Sequence, residues 1–319
     1  DGHTVVALGE SLFEGCTEIT GVSIPYGVRE IGDYAFYGCV SLQEVILPYG
    51  VSALGDLVFF NCFGLTEMTL PATLETMGLA PFGNTGIAKF KVDPQNQFYA
   101  VKGDLLCDKN GKVVVACPNA LNATVVTVPS GVEEIGKGAF YGCDGLSRVV
   151  LPASVKTIGR WAFGYCENLQ TIGLVSGLKT IGDLAFACCR GLSSVTIPSG
   201  VTKIGDEAFR DCLGLTSVSI PDSVVEVGAW VFDGCNAALF DSKTIPDFLM
   251  VDGWIVGYEN WNPYGNLVLN KGRGIAAYVF NGTGVSKVTV NVPYKGIGKG
   301  AFARCRDLFA VDVKSSLGY

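Results

Sequence analysis

Apolar residues return along this chain at an interval much longer than a helical turn or a strand pleat. Phe13, Phe36, Phe59 and Phe82 are spaced 23 residues apart, and so are Phe140, Phe163, Phe186, Phe209 and Phe232; Phe280 and Phe302 follow after breaks in the register. Each of these eleven phenylalanines sits in a variant of Ile31-Gly32-Asp33-Tyr34-Ala35-Phe36-Tyr37-Gly38-Cys39. A period of about 20 to 50 residues marks a solenoid, a propeller or an array, in which each unit buries its apolar side only against its neighbours. Between the phenylalanine units the pattern alternates. In Leu42-Gln43-Glu44-Val45-Ile46-Leu47-Pro48, the residues Leu42, Val45 and Leu47 are expected to face the core, and Pro48 ends the strand because it has no N–H to donate. Val22-Ser23-Ile24-Pro25, Met68-Thr69-Leu70-Pro71, Val149-Val150-Leu151-Pro152, Val195-Thr196-Ile197-Pro198 and Val218-Ser219-Ile220-Pro221 repeat it. One strand per coil in constant register predicts a parallel sheet along one side.

After each strand come an apolar pair such as Val51 and Leu54, then Gly, then the Ala-Phe segment, expected to form a short helical turn or irregular coil on the opposite side. The repeated Gly (Gly32, Gly55, Gly136, Gly159, Gly182, Gly205, Gly228, Gly298) signals either positive φ or a place too crowded for a side chain. Ala276 fills the slot once, which favours crowding. Two stretches break the period. Residues 88–120 carry Leu105-Leu106-Cys107, the turn Asp108-Lys109-Asn110-Gly111 and Val113-Val114-Val115-Ala116-Cys117, a hairpin signal that sets Cys107 opposite Lys112 or Val114. Residues 238–266 gather Phe248, Trp254, Tyr258, Trp261 and Tyr264. The expected organisation is one array over 1–319: coils at 1–87, an insertion at 88–120, coils at 121–237, an insertion at 238–266 and coils at 267–319.

Twelve cysteines suggest disulfides, but nine of them lie three residues after a repeat phenylalanine, among them Cys39, Cys62, Cys143, Cys166, Cys189 and Cys212. Residues stacked at about 4.8 Å with parallel Cα–Cβ vectors do not suit a bond that wants Cβ atoms about 3.8 Å apart and converging. Free, buried thiols are expected, together with the phenylalanines Phe36, Phe59, Phe140, Phe163, Phe186 and Phe209, as the structural core. The formal charge of −7, without a basic run, argues against nucleic acid. No apolar run approaches the roughly 20 residues of a transmembrane helix. The chain starts at Asp1 rather than Met, as expected of an export substrate whose signal peptide has been removed, or of a trimmed chain.

The pattern Leu-x-x-Val-x-Ile-Pro-x-x-Val-x-x-Ile-Gly-x-x-Ala-Phe-x-x-Cys resembles the BspA-like, or Treponema-type, leucine-rich repeats. Leu192, Val195, Ile197, Pro198, Val201, Ile204, Gly205, Ala208, Phe209 and Cys212 fill every marked position; Thr85 and Thr283 replace the Cys in two copies. Val92-Asp93-Pro94 through Pro118 also looks like a hairpin insertion common in that family. The resemblance implies an α/β-type repeat in a right-handed leucine-rich-repeat solenoid with a parallel β-sheet on the concave face. It also implies short helical or irregular convex segments and two β-rich insertions. It further implies a secreted or surface-attached bacterial protein, some members of the family being adhesins.

Catalytic chemistry finds little support. The single histidine, His3, lies near the terminus, so no Ser-His or Cys-His pair can be assembled elsewhere. Spaced cysteines lack the clustering of a zinc site, and Asp108-Lys109-Asn110-Gly111 lacks the distal bidentate carboxylate of a calcium loop. No cofactor and no enzyme activity are expected, although scattered carboxylates leave a hydrolase as a remote alternative. The outward strand positions vary while the core repeats, which nominates Glu44, Ile46, Glu67, Thr69, Arg148 and Val150 as binding residues; short side chains on a solvated sheet are the plainer explanation. Trp254, Tyr258, Trp261 and Tyr264 could stack on a sugar or anchor a protein, or form a small satellite core. The expected partner is a host or neighbouring-cell protein or glycan; the strand edges at both ends invite self-association. A spacer solenoid within a larger surface protein is the alternative.

Overall fold

The structure, a computed structural model, describes residues 5–259 and 263–314. Backbone contacts group the chain into two units, Asp1–Gly173 and Leu174–Tyr319. Both are built from the same coil, and each coil supplies two short strands rather than the one expected.

The first strand is the anticipated one. In Glu44–Ile46 the central Val45 is buried, with Glu44 and Ile46 outward, and it runs parallel to Gly21–Ser23 with Val22 opposite Val45. Glu67–Leu70 pairs with Lys89–Val92, and Val125–Thr127, Arg148–Val150 and Thr171–Ile172 form a third ladder in the first unit. In the second unit Ser194–Thr196 pairs with Ser217–Ser219. The second strand is only two residues long. Ala7–Leu8, Glu30–Ile31, Ala53–Leu54 and Thr76–Met77 make one parallel ladder, and Thr180–Ile181, Lys203–Ile204 and Glu226–Val227 make another. Two residues cannot display an alternation, so this ladder is invisible to a pattern search.

Of the two alternatives expected around each phenylalanine, a short helical turn or irregular coil, the structure has the second. Among the described residues the helical content is one 3₁₀ turn at Ala237–Leu239. The reason lies in how the backbone donors are spent. The N–H groups of Tyr34, Phe36 and Gly38 donate to the carbonyls of Asp56, Val58 and Phe60 in the next coil, while those of Ala35, Tyr37 and Cys39 close turns onto Gly32, Tyr34 and Phe36. An α-helix needs every donor turned onto its own chain four residues back, and here every second one is committed sideways. Residues two before and two after the phenylalanine hold positive φ, as at Tyr34 (58°) and Gly38 (71°) or Glu207 (54°) and Asp211 (55°), which a right-handed helix excludes. The α/β-type repeat is therefore corrected to a parallel β-solenoid of leucine-rich-repeat type with almost no helix.

Inside this turn the phenylalanines stack. Ring centroids are 5.2, 5.3 and 5.9 Å apart along Phe13, Phe36, Phe59 and Phe82, and 4.9 Å between Phe140 and Phe163. In the second unit they are 5.2 and 5.7 Å apart along Phe186, Phe209 and Phe232, and 5.1 Å between Phe280 and Phe302. All twelve cysteines are free thiols. Cys39, Cys62, Cys166 and Cys212 each donate S–H to the carbonyl of the phenylalanine one coil earlier, at 3.1, 3.1, 2.9 and 3.1 Å. Thr85 and Thr283 instead donate to Phe82 and Phe280 of their own coils, both at 2.9 Å. Burial pushes the Cys62 thiol up to about 12. The recurring glycine slot is a crowding position: Gly205 does not hold positive φ, and a Cβ there would lie 2.5 Å from the Asp183 backbone nitrogen.

Both period-breaking stretches contain antiparallel pairs that feed back into the two-residue ladder. Leu105–Asp108 pairs with Tyr99–Lys102 and with Val113–Ala116, setting Cys107 opposite Val114. Val113 and Val114 then pair with Glu134 and Ile135, taking the place of a coil strand. In the second unit Phe248–Val251 pairs with Trp254–Tyr258, whose Trp254 and Ile255 align with Gly274 and Ile275. Asn96 anchors the first of these. It is wholly buried, its amide donates to the Pro71 and Leu74 carbonyls at 2.8 and 3.0 Å, and its oxygen accepts from the Phe98 and Tyr99 N–H groups, each at 2.8 Å. All four hydrogen-bonding positions of the amide are filled.

Truncating Phe163 to Ala is expected to cost about 3–5 kcal/mol of unfolding free energy in a denaturant titration. Gly205→Ala, which adds one methyl against backbone that cannot yield, is expected to cost about 1–3 kcal/mol; an unchanged midpoint for either would contradict the coil alignment. A thiol reagent applied to the folded protein at mildly alkaline pH is expected to label the half-buried Cys16, Cys235 and Cys305 while Cys62 stays unmodified until denaturant is added.

Candidate recognition surface

The three-residue strands present their first and third side chains to solvent. In the first unit the ladder holding Glu44–Ile46 is separate from the one holding Glu67–Leu70, and a groove of about 900 Å³ lies along the two strands. It is lined by Glu44, Ile46, Glu67 and Thr69, so four of the six nominated strand residues share one site. Its floor contains the buried Val45, Leu47 and Leu70; its walls continue to Tyr49 and to Asp93-Pro94 after the last strand. Pro48 stops the strand, the Val51 N–H closes a turn onto the Pro48 carbonyl at 3.2 Å, and Gly50 takes φ 116°. That turn leaves Tyr49 70% exposed beside Ile46, which is 65% exposed. Both side chains line the same groove, so they form one apolar patch rather than scattered exposed residues.

Charge is arranged around this apolar rim. The Lys91 ammonium lies 2.5 Å and the Lys89 ammonium 3.4 Å from the two carboxylate oxygens of Glu67. Hydrogen bonds from Lys91 first and Lys89 second hold the Glu67 carboxyl below its ordinary range. Glu44 adds a second carboxylate to the lining.

The other nominated residues lie elsewhere. Arg148 and Val150 belong to the third ladder and do not line the groove; Arg148 is exposed and Val150 half-buried. The aromatic group of the second period break does not form one surface. Trp254 is 0% exposed, its ring lying over Gly274, where a Cβ would meet it at 2.5 Å, so it is an interior residue and is removed from the binding candidates. Tyr258 is half-buried, Tyr264 is 75% exposed, and Trp261 and His3 lie outside the described residues. The Asp108 carboxylate accepts from the Lys112 and Val113 N–H groups at 2.6 and 2.7 Å, the geometry of a capped turn. Among the described residues no group of three His, Cys, Asp or Glu side chains is arranged to hold a metal ion, and no helix is long and apolar enough to cross a membrane.

Two features escaped the sequence. Tyr49 follows the strand, where alternation has ended. The turn side carries Tyr34, Trp161, Trp230 and Tyr278 at the positive-φ slot two residues before the phenylalanine, a slot that Gly138 and Gly300 fill in other coils. The signal available was a bulky ring where the repeat elsewhere accepts glycine.

Comparison with known proteins places this architecture. The BspA type leucine rich repeat region model matches residues 2–101, 116–238 and 270–319 in six copies; the gaps are the stretches bearing the antiparallel pairs. A leucine rich cell surface protein from Faecalibacterium prausnitzii is 25% identical with a TM-score of 0.61, covering 97% of this chain and 63% of its own. The chain thus spans less than two thirds of that relative. The pneumococcal vaccine antigen PcpA is 18% identical with a TM-score of 0.64, over 94% of this chain and 68% of its own, and shares the fold. No curated protein matches the sequence significantly. With its coils, its stacked phenylalanines and more than half its length matched, the chain belongs to the BspA-type leucine-rich repeat family.

Proposed function

We propose that this chain is a non-catalytic recognition module of an exported or cell-surface protein, and that the groove along Glu44–Ile46 and Glu67–Leu70 receives a segment of a host or neighbouring-cell protein. The observation that carries this reading is the pair Ile46 and Tyr49, two large apolar side chains left open at the mouth of a groove flanked by the Glu67–Lys91 ion pair. An apolar contact with a charged border is the anatomy of a protein-binding patch. Solenoids commonly recognise partners across such a strand face. The surface location is supported by the Faecalibacterium relative, whose name describes a cell surface protein.

The test is a surface-plasmon panel of soluble extracellular matrix proteins against the immobilised chain. A saturable response is expected for at least one, weakened about tenfold or more by Ile46→Lys combined with Tyr49→Ala, equivalent to about 1.4 kcal/mol, while the melting temperature holds. A flat panel, or binding indifferent to both changes, would discard the groove as the site.

The charged border has its own signature. Because the Glu67 carboxyl is depressed in the folded chain, its contribution to stability is present above the ordinary glutamate value of about 4.3 and fades as pH falls through its lowered value. Carboxyl NMR is expected to show a midpoint below that of a free glutamate. Lys91→Ala or high salt should return it toward the ordinary value, since the pair is fully exposed to screening.

A further inference from the structure

A second cavity, of about 430 Å³, lies in the second unit, on the turn side rather than the strand face. Three stretches wall it: the turn from Trp230 to Gly234, the antiparallel pair contributing Leu249 and Tyr258, and the turn from Ala277 to Asn281, with Phe240 alongside. Its volume falls in the range of about 300–1,000 Å³ usual for small-molecule sites. Five aromatic residues line it, Trp230, Phe240, Tyr258 and Tyr278 with the buried Phe232, together with the exposed side chains of Asp233 and Asn281. No Lys or Arg is among the lining residues.

Trp230 is the telling residue. It is 61% exposed, and it stands at the positive-φ slot (49°), as does Tyr278 (57°). Backbone in that region disfavours bulky side chains, and Gly138 and Gly300 satisfy the same slot in other coils. The turn therefore needs the conformation but not the indole. An exposed indole face beside a carboxylate and an amide offers a flat apolar platform with hydrogen-bond acceptors and a donor at its edge. That is the complement of a pyranose, which has an apolar C–H face and an equatorial rim of hydroxyls. The Arg210 guanidinium stands 3.9 Å from the Asp233 carboxylate but is not among the lining residues, so the charge the cavity itself presents is acidic and the chemistry selects a neutral sugar over an anionic one. A quaternary ammonium would use the rings and Asp233 but has no use for the Asn281 amide.

We propose that this cavity binds a neutral saccharide, one ring stacked on Trp230 and its hydroxyls hydrogen-bonded to Asp233 and Asn281. The site is independent of the strand-face groove, so either can fail without the other.

The test uses the whole chain, with lactose, maltotriose and diacetylchitobiose as neutral probes, sialyllactose as the anionic control and tetramethylammonium as the cationic one, read by saturation-transfer NMR and titration calorimetry. At least one neutral probe is expected to bind saturably. Trp230→Gly, which installs the residue that other coils carry at this slot, should weaken it about tenfold or more. Asn281→Ala should weaken it several-fold at an exposed position where folding is not at stake, while Ile46→Lys leaves it unchanged. The proposal is overturned if no neutral probe saturates below about 50 mM, if only tetramethylammonium or sialyllactose binds, or if neither Trp230→Gly nor Asn281→Ala alters the affinity.

Discussion

Backbone hydrogen bonding between successive coils is the constraint on which everything else rests. The strand residues bond to neighbouring coils, and even within the phenylalanine turn every second N–H is given to the next coil. The remaining donors close turns onto the same chain. An isolated coil would leave half of these groups unpaired and one apolar face wet, which costs far more than a single short strand can return. The coil is thus stable only as one of a series, and a recurring period of 23 residues through the regular coils is the sequence consequence: each donor must meet its acceptor at the same height.

That spacing explains the choice of core residues. Between backbones held a strand spacing apart, a flat ring can stack on its equivalent, and the phenylalanine centroids at 5.2 and 5.3 Å show it doing so. The carbonyl of the same phenylalanine is left in the interior and needs donors, which the Cys39 and Cys62 thiols supply to Phe13 and Phe36 one coil earlier. A small, weakly polar thiol fits a site where a larger polar group would crowd the stack, and this interior role leaves the cysteines no reason to pair. The glycine before the turn is favoured by the same closeness, since a Cβ at Gly32, Gly159, Gly205 or Gly228 would meet the backbone of the preceding coil.

Because the interior is so uniform, distinctiveness is confined to what points outward. On the strand face it is concentrated where Ile46, Tyr49, Glu67 and Thr69 meet across two separate ladders. On the turn side of the second unit it is concentrated around Trp230, where the rigid turn carries a ring it does not need. Both places border positions where the regular series is interrupted by strands of different length or direction, since perfect repetition gives a flat surface and only its interruption gives a concavity.

The sequence by itself determined the repeat, its family, the inward strand positions, the buried phenylalanines and the hairpin turn that sets Cys107 against Lys112 or Val114, because these depend on periodicity and local turn chemistry. It also put Glu44, Ile46, Glu67 and Thr69 on one exposed face, since alternation alone assigns faces. It did not reveal the two-residue ladder, nor decide between a helical turn and irregular coil for the phenylalanine segment, because both follow from hydrogen bonds to residues more than twenty positions away. It grouped Trp254 with Tyr258 and Tyr264 as one aromatic set, whereas pairing with Gly274–Ile275 drew Trp254 into the core and left Tyr264 open. Only the tertiary structure decided where one strand ladder ends beside the next to leave a groove and where a turn-side ring stands over a cavity, since those depend on how neighbouring coils meet rather than on what any one of them contains.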